Sequence, residues 1–284
     1  MNDKLAFVFP GQGSQKIGML AELAASHPQL LETFAEASEQ LGYDLWRLCQ
    51  QGTAEELAMT ERTQPLLLTA SVALWRLWQA LGGPRPVLLA GHSLGEWSAL
   101  VCAEVVGFAD AVALVRKRGA YMQEAVPAGV GAMAAVMGLD DAEIERCCAE
   151  SAGDEVVVPV NYNAPGQVVI AGHAPAVDRA IAACKAAGAK RALPLPVSAP
   201  FHTPVMRPAA ERLAADIAAT RFSAPAIPVI HNVHARVEPD PAAIQRLMVE
   251  QICSPVRWVD CVAALVAGGA TTAVECGAGK VLCG

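Results

Sequence analysis

No stretch of this 284-residue chain approaches the roughly 20 consecutive apolar residues that a membrane-spanning helix needs, although 54% of its residues are hydrophobic. Association with a membrane is therefore not expected. The apolar segment Leu5–Phe9 is too short for the core of a secretory leader, and no small-residue cleavage site follows it. Nine cysteines are present, but none forms a Cys-x-x-Cys pair or a zinc-ligand spacing. They read as reduced cytoplasmic side chains that fill space as small apolar groups, with no metal expected. Extended Lys/Arg runs are missing too, and the formal net charge of −7 argues against nucleic acid as the main ligand. There is no internal repeat and no low-complexity tract.

What is present is an alternation of short apolar runs with amphipathic segments. Strands are expected at Leu5–Phe9, Val87–Ala90, Ile227–Ile230 and Thr272–Glu275. Helices are expected over 28–41, 64–81, 94–102, 109–125, 208–219, 244–252 and 259–266. Strands alternating with helices imply a parallel sheet in an α/β fold. Between Gly131 and Val197 the order changes to strand 132–137, helix 140–151, hairpin 156–160 with 167–171, helix 174–187 and strand 192–197. That β-α-β-β-α-β order marks a ferredoxin-like unit inserted in the larger domain. The expected division is residues 1–128 and 199–284 for the large α/β domain and 129–198 for the insertion.

The chemistry centres on Gly91-His92-Ser93-Leu94-Gly95, a G-x-S-x-G pentapeptide between an apolar strand and an amphipathic helix. A turn of this kind holds serine in a strained conformation at a helix head, where the Leu94 N–H can meet a developing oxyanion. After the first strand, Pro10-Gly-Gln-Gly-Ser-Gln15 puts backbone amides at the same sheet edge, and Lys16 breaks the dinucleotide fingerprint that the glycines suggest. The better use of this loop is a second oxyanion donor, the Gln12 N–H.

A serine hydroxyl needs a base. Of the six histidines, His27 and His173 read as surface residues. His92 adjoins the nucleophile, so its side chain should diverge from it, and His231 with His234 reads as structural. His202, in Ser198-Ala-Pro-Phe-His202 after the insertion, is the best base. No carboxylate between Ser93 and His202 has a strand-end setting, which leaves open a carbonyl, in place of a carboxylate, as the group that orients the base. The cluster Arg116-Lys117-Arg118-Gly119 ends or interrupts a helix, and on residue type alone it is either solvated or a carboxylate clamp.

With Gly-Gln-Gly-Ser-Gln15, Gly-His-Ser-Leu-Gly-Glu96, Arg118-Gly119, Met122-Gln-Glu-Ala-Val-Pro127, Asn161-Tyr-Asn-Ala-Pro-Gly-Gln167, Pro200-Phe-His202 and Gly279-Lys-Val-Leu in order, the chain resembles the malonyl-CoA:acyl carrier protein transacylases. The resemblance spans nearly the whole sequence. It implies an α/β-hydrolase-like core with a ferredoxin-like insertion. It also implies that Ser93 is acylated, that His202 is its base and that the Gln251 main-chain carbonyl orients the histidine. Gln12 and Leu94 match the oxyanion donors and Arg118 the partner of the malonyl carboxylate. His92, Met122, Met133, Asn161, Asn163 and Phe201 match positions in the pocket or at its mouth.

Malonyl-CoA and holo acyl carrier protein are the implied partners, with no cofactor, and a monomer is expected. A free-standing protein is expected from the short segment before the first strand. Lys190, Arg191 and Arg76 are candidates for a basic patch facing an acidic carrier. Two departures from the family pattern are Ser254, where relatives often carry asparagine, and the family's closing helix, which the chain lacks.

Overall fold

The computed structural model describes residues 4–127, 129–197 and 199–283. Strand β1 (Leu5–Phe9) is followed by helices α1 (Ala21–Ser26), α2 (Leu30–Leu41), α3 (Leu45–Gln51), α4 (Ala54–Ala58) and α5 (Thr60–Ala80), then β2 (Leu88–Gly91), α6 (Leu94–Cys102) and α7 (Phe108–Glu124). The middle of the chain forms β3 (Gly131–Met137), α8 (Asp141–Ala152), β4 (Val157–Ala164), β5 (Gln167–His173), α9 (Ala174–Ala186) and β6 (Arg191–Pro194). It then returns through α10 (Arg207–Ala218), β7 (Val229–Ile230), α11 (Pro241–Glu250), α12 (Trp258–Ala267) and β8 (Thr272–Glu275).

The first sheet has the order β7-β2-β1-β8 and every pairing in it is parallel. Alternation along β1 explains how it is covered on both faces. Leu5, Phe7 and Phe9 join a large core with α2, α5, α6, α7 and α10, while Ala6 and Val8 face a smaller core that includes Trp258 and Leu265 of α12. Trp75 and Trp78 stand edge-on to Phe7 at 5.4 and 5.2 Å between ring centroids. The second sheet has the order β4-β5-β3-β6 and is antiparallel, the order of a ferredoxin-like unit. Helices α8 and α9 cover one face, with Ala134, Val136, Ile144, Val177 and Cys184 between the layers. The other face, with Met133, Val169 and Ala171, packs against Phe201. Two backbone hydrogen bonds, Tyr162 N–H to the Val256 carbonyl and Val256 N–H to the Val160 carbonyl, join β4 to the segment before α12.

The expected mixed α/β fold with a parallel and a separate antiparallel sheet is found, and several elements differ locally. Helix α5 begins at Thr60 and runs through Pro65, whereas proline's preference for a first turn places the start near Gln64. The last strand of the antiparallel sheet stops at Pro194, because Pro194 and Pro196 cannot donate to a ladder. Helices α1, α3 and α4 carry too few turns for a periodicity reading, although α4 has a full capping box between Thr53 and Glu56. Arg116–Gly119 neither ends nor interrupts α7, which continues to Glu124.

Candidate active site

Parallel pairing decides where the site lies. Phe9 of β1 is in register with Gly91 of β2, and Ala90 with Ile230 of β7, so the loops carrying Gln12, Ser93 and His231–Asn232 leave the sheet at one carboxyl edge. Ser93 caps α6 with φ 51° and ψ −105°, a conformation costly for a residue with a Cβ. The surroundings impose it. A Cβ on Gly91 would lie 2.0 Å from the Gly95 carbonyl oxygen, and one on Gly95 would lie 2.0 Å from the Phe9 carbonyl oxygen. Only glycine at both positions lets α6 sit this close to β1 and β2. Asn232 pins the turn from the side, its Oδ1 accepting from Ser93 N–H at 2.8 Å and its Nδ2 donating to the Gly91 carbonyl at 2.7 Å.

Ser93 Oγ lies 2.7 Å from His202 Nε2, and His202 Nδ1 lies 2.8 Å from the Gln251 carbonyl oxygen. That carbonyl can only accept, so Nδ1 carries the proton and Nε2 is free to accept from the serine hydroxyl. His202 is buried and also has a positive φ, 63°. Burial, and next the Arg118 cation, push its imidazole down to about 3, against hydrogen bonds it gives to the Gln251 and Ser254 backbone, which pull it up. The imidazole is neutral in the resting site.

Arg118 sits in the middle of α7, 2% exposed, and its guanidinium reaches Gln64 Oε1 at 2.8 Å, Gln251 Oε1 at 2.9 Å and Ser93 Oγ at 3.2 Å. Burial pushes it down to about 10, with Glu96 opposing, so it is a cation at neutral pH. The neighbouring residues point elsewhere: Arg116 donates to the Leu41 carbonyl and Lys117 pairs with Asp216. One turn beyond Arg118, Met122 lies on the same helix face and is buried in the core against which Phe201 packs. Met133 lies under Phe201 from the other sheet. His92 points away from the nucleophile, as its position implies, and lies 2.8 Å from Asn163 Oδ1 on β4. Burial lowers its imidazole as well. Asn161, on the same strand, has a buried Oδ1 without a partner. Among the described residues neither the Gln12 nor the Leu94 N–H has an acceptor.

Other expected positions fare differently. His173 is half-buried and accepts from Val156 N–H at 2.9 Å, and His27 is half-buried too. Arg76 pairs with Glu36 and stacks 4.8 Å over the Phe108 ring. Arg191 lies opposite Met137 on β3, four residues along the strand from Met133. Among the described residues no cluster of three or more His, Cys, Asp or Glu side chains could hold a metal ion.

Sequence reasoning missed Gln64, Glu96 and Asn232 as members of the site. Glu96 is wholly buried one turn into α6, and its carboxylate meets His231 Nδ1 at 2.7 Å, Gln251 Nε2 at 2.6 Å and Asn232 N–H at 3.1 Å. The available signal was the one charge in α6, three residues past the nucleophile.

A nucleophile, a neutral base oriented by a carbonyl and a buried cation beside the nucleophile make an acyl-transfer site. The acyl transferase domain family matches residues 6–282. This chain belongs to that family. It is 62% identical over 281 residues to the malonyl CoA-acyl carrier protein transacylase of Salmonella typhimurium, covering 99% of this chain and 91% of that protein. The Escherichia coli K12 transacylase of the same name is 61% identical over the same shares. Among solved structures, an acyl carrier protein S-malonyltransferase from Vibrio cholerae superposes with a TM-score of 0.97 at 58% identity, covering 99% of this chain and 92% of that one. A malonyl-transacylase solved in complex with a type II PKS acyl-carrier protein gives 0.98 at 55% identity, covering 99% and 91%. The chain is an acyltransferase, and no described helix is long and apolar enough to cross a membrane.

Proposed function

We propose that this acyltransferase moves the malonyl group of malonyl-CoA to the phosphopantetheine thiol of acyl carrier protein, through a malonyl ester on Ser93, to supply fatty-acid chain elongation. The observation that carries the reading is a cation in contact with the nucleophile. Arg118, 3.2 Å from Ser93 Oγ, is where an acyl group ending in a carboxylate would find its counter-ion.

In the first half-reaction, Ser93 Oγ gives its proton to His202 Nε2 and bonds to the thioester carbonyl carbon. The oxyanion formed is met by the Gln12 and Leu94 N–H groups, each worth roughly 3 kcal/mol in comparable sites. As the intermediate collapses, the carbon–sulfur bond breaks and CoA sulfur takes the proton from His202. In the second half-reaction the carrier thiol gives its proton to His202 and attacks the ester, and Ser93 leaves reprotonated. The scheme calls on no metal or cofactor. Burial first and Arg118 second depress the basicity of His202 in the empty site, so a carboxylate that neutralises the arginine relieves the smaller part of that depression when a malonyl group is in place. His92, Met122, Met133, Asn161, Asn163 and Phe201 wall the cleft that receives the acyl group and its arm. The reading is of a cytoplasmic enzyme acting as a monomer.

A thioesterase would use the same nucleophile and release CoA steadily in water. Brief exposure to malonyl-CoA followed by peptide mass spectrometry should show one malonyl group on Ser93, discharged by holo carrier protein. Arg118→Ala should lower malonyl loading by about 100-fold and spare acetyl loading. Unchanged malonyl loading would remove the carboxylate clamp from the reading.

A further inference from the structure

Arg118 is buried as a cation, yet among the described ion pairs it has no carboxylate in direct contact. Its NH1 and NH2 donate to Gln64 Oε1, Gln251 Oε1 and Ser93 Oγ, all of them neutral acceptors. The buried anion near it is Glu96, reached through one side chain: the Gln251 carboxamide accepts from Arg118 at Oε1 and donates from Nε2 to Glu96 Oε2 at 2.6 Å. The same Nε2 donates to the Ser93 carbonyl at 3.1 Å. A carboxamide has two nearly isosteric orientations, and only one of them gives Arg118 an acceptor. A carboxylate accepts and never donates, so Glu96, with the Ser93 carbonyl beside it, selects that orientation, and its bond is the shorter, charge-assisted one. Glu96 is itself held by His231 Nδ1 and Asn232 N–H.

We propose that Glu96 is a positioning residue for the acyl-group clamp: acting through the Gln251 carboxamide, it holds Arg118 where an acyl carboxylate meets it and so sets the preference for acyl groups that carry an acid. This rests on malonyl transfer as the activity of the site. The line from Glu96 to Arg118 runs through the side chain of Gln251, whereas the base is held by the main-chain carbonyl of the same residue. Substrate choice and base placement are therefore separable.

Glu96→Gln is the decisive variant. It keeps the volume, and His231 can accept the new amide by moving its proton to Nε2, which has no partner now. What it removes is the charge, and with it the charge-assisted hold on Gln251 Nε2, while the Ser93 carbonyl stays as an acceptor. Malonyl-CoA and acetyl-CoA loading should be compared in wild type, Glu96→Gln, Arg118→Ala and the double variant, with thermal unfolding of each. The expected result is a fall of roughly 10- to 100-fold in kcat/KM for malonyl-CoA, expressed mainly in KM. Acetyl loading should change less than about threefold, and Glu96→Gln should add less than about threefold once Arg118 is gone.

Glu96→Asp, which keeps the charge, should recover part of the malonyl preference. Equal losses for both acyl groups would overturn the proposal, because they would place Glu96 behind Ser93 or the general fold. So would independent, multiplying effects in the double variant, or an unchanged malonyl preference. A wild-type protein that loads no malonyl group would instead refute the activity on which the proposal stands.

Discussion

Around the carboxyl edge of the parallel sheet, Glu96, Arg118, His202, His231, Asn232 and Gln251 are almost fully buried, whereas the layer between the antiparallel sheet and its helices is built on buried Ala, Val, Ile and Cys side chains. Both regions are densely packed, and they use packing differently. In the antiparallel unit an apolar layer between β3–β6 and the helices α8 and α9 stabilises a platform, from which Met133 packs with Phe201 and Asn163 meets His92. At the parallel edge each of these six side chains makes at least one hydrogen bond within the site, so position, rather than burial, is what the interactions secure. The contrast shows that one chain can separate the part that shapes a cleft from the part that performs chemistry in it.

That contrast can be broken from the chemical side first. His202→Ala removes the base and should lower acyl transfer by about four orders of magnitude or more, with Ser93 still accessible to mass spectrometry. Gly95→Ala should act on both structure and activity. The added Cβ would lie 2.0 Å from the Phe9 carbonyl oxygen, so α6 must move away from β1. About 3 kcal/mol of stability should be lost in denaturant unfolding, and acylation should fall with it because the turn that carries Ser93 at the head of α6 is displaced.

The pH dependence of stability is a smaller and more specific effect. His202 has its folded value pushed down to about 3, and in the unfolded chain it returns to about 6.5. Between those values the unfolded state binds a proton that the folded state refuses, so stability falls as pH drops through this window. Urea unfolding between about pH 6.5 and 4.5 should show a slope that His202→Asn reduces by up to about 1.4 kcal/mol per pH unit. An identical slope in the variant would mean that the imidazole is not held neutral. At the low end, Arg146→Ala breaks exposed pairs with Glu143 and Glu150 on α8. Stability should change by less than about 0.5 kcal/mol and acyl transfer not at all.

Legibility in the sequence followed the same division. Strands β1 and β8 were delimited correctly because an apolar run closed by a proline or glycine loop is a local signal. The element order of the antiparallel unit came from local periodicity too. Ser93 and His202 were found because an elbow and a loop histidine keep their meaning without their neighbours. Arg118 was ambiguous, since three adjacent basic residues on a helix point in directions about 100° apart and only the tertiary fold says which one turns inward. Glu96, Asn232 and Gln64 were missed for a related reason. Glu96 and Asn232 meet only because β2 pairs with β7, a contact between residues far apart in the chain, and Gln64 arrives through a helix that continues past a proline. Buried polar networks are a property of pairing, and pairing has no local signature.

In the proposed cycle Ser93 carries the acyl group between two thiols, and Arg118 selects an acyl group that bears an acid. One experiment meets it directly: exposure of the protein to equimolar malonyl-CoA and acetyl-CoA, mass analysis of the Ser93 peptide, and then addition of holo acyl carrier protein. The account predicts a malonyl adduct in large excess over acetyl, stable in buffer and transferred to the carrier thiol. An unmodified Ser93, or an adduct lost to water as fast as to the carrier, would contradict it.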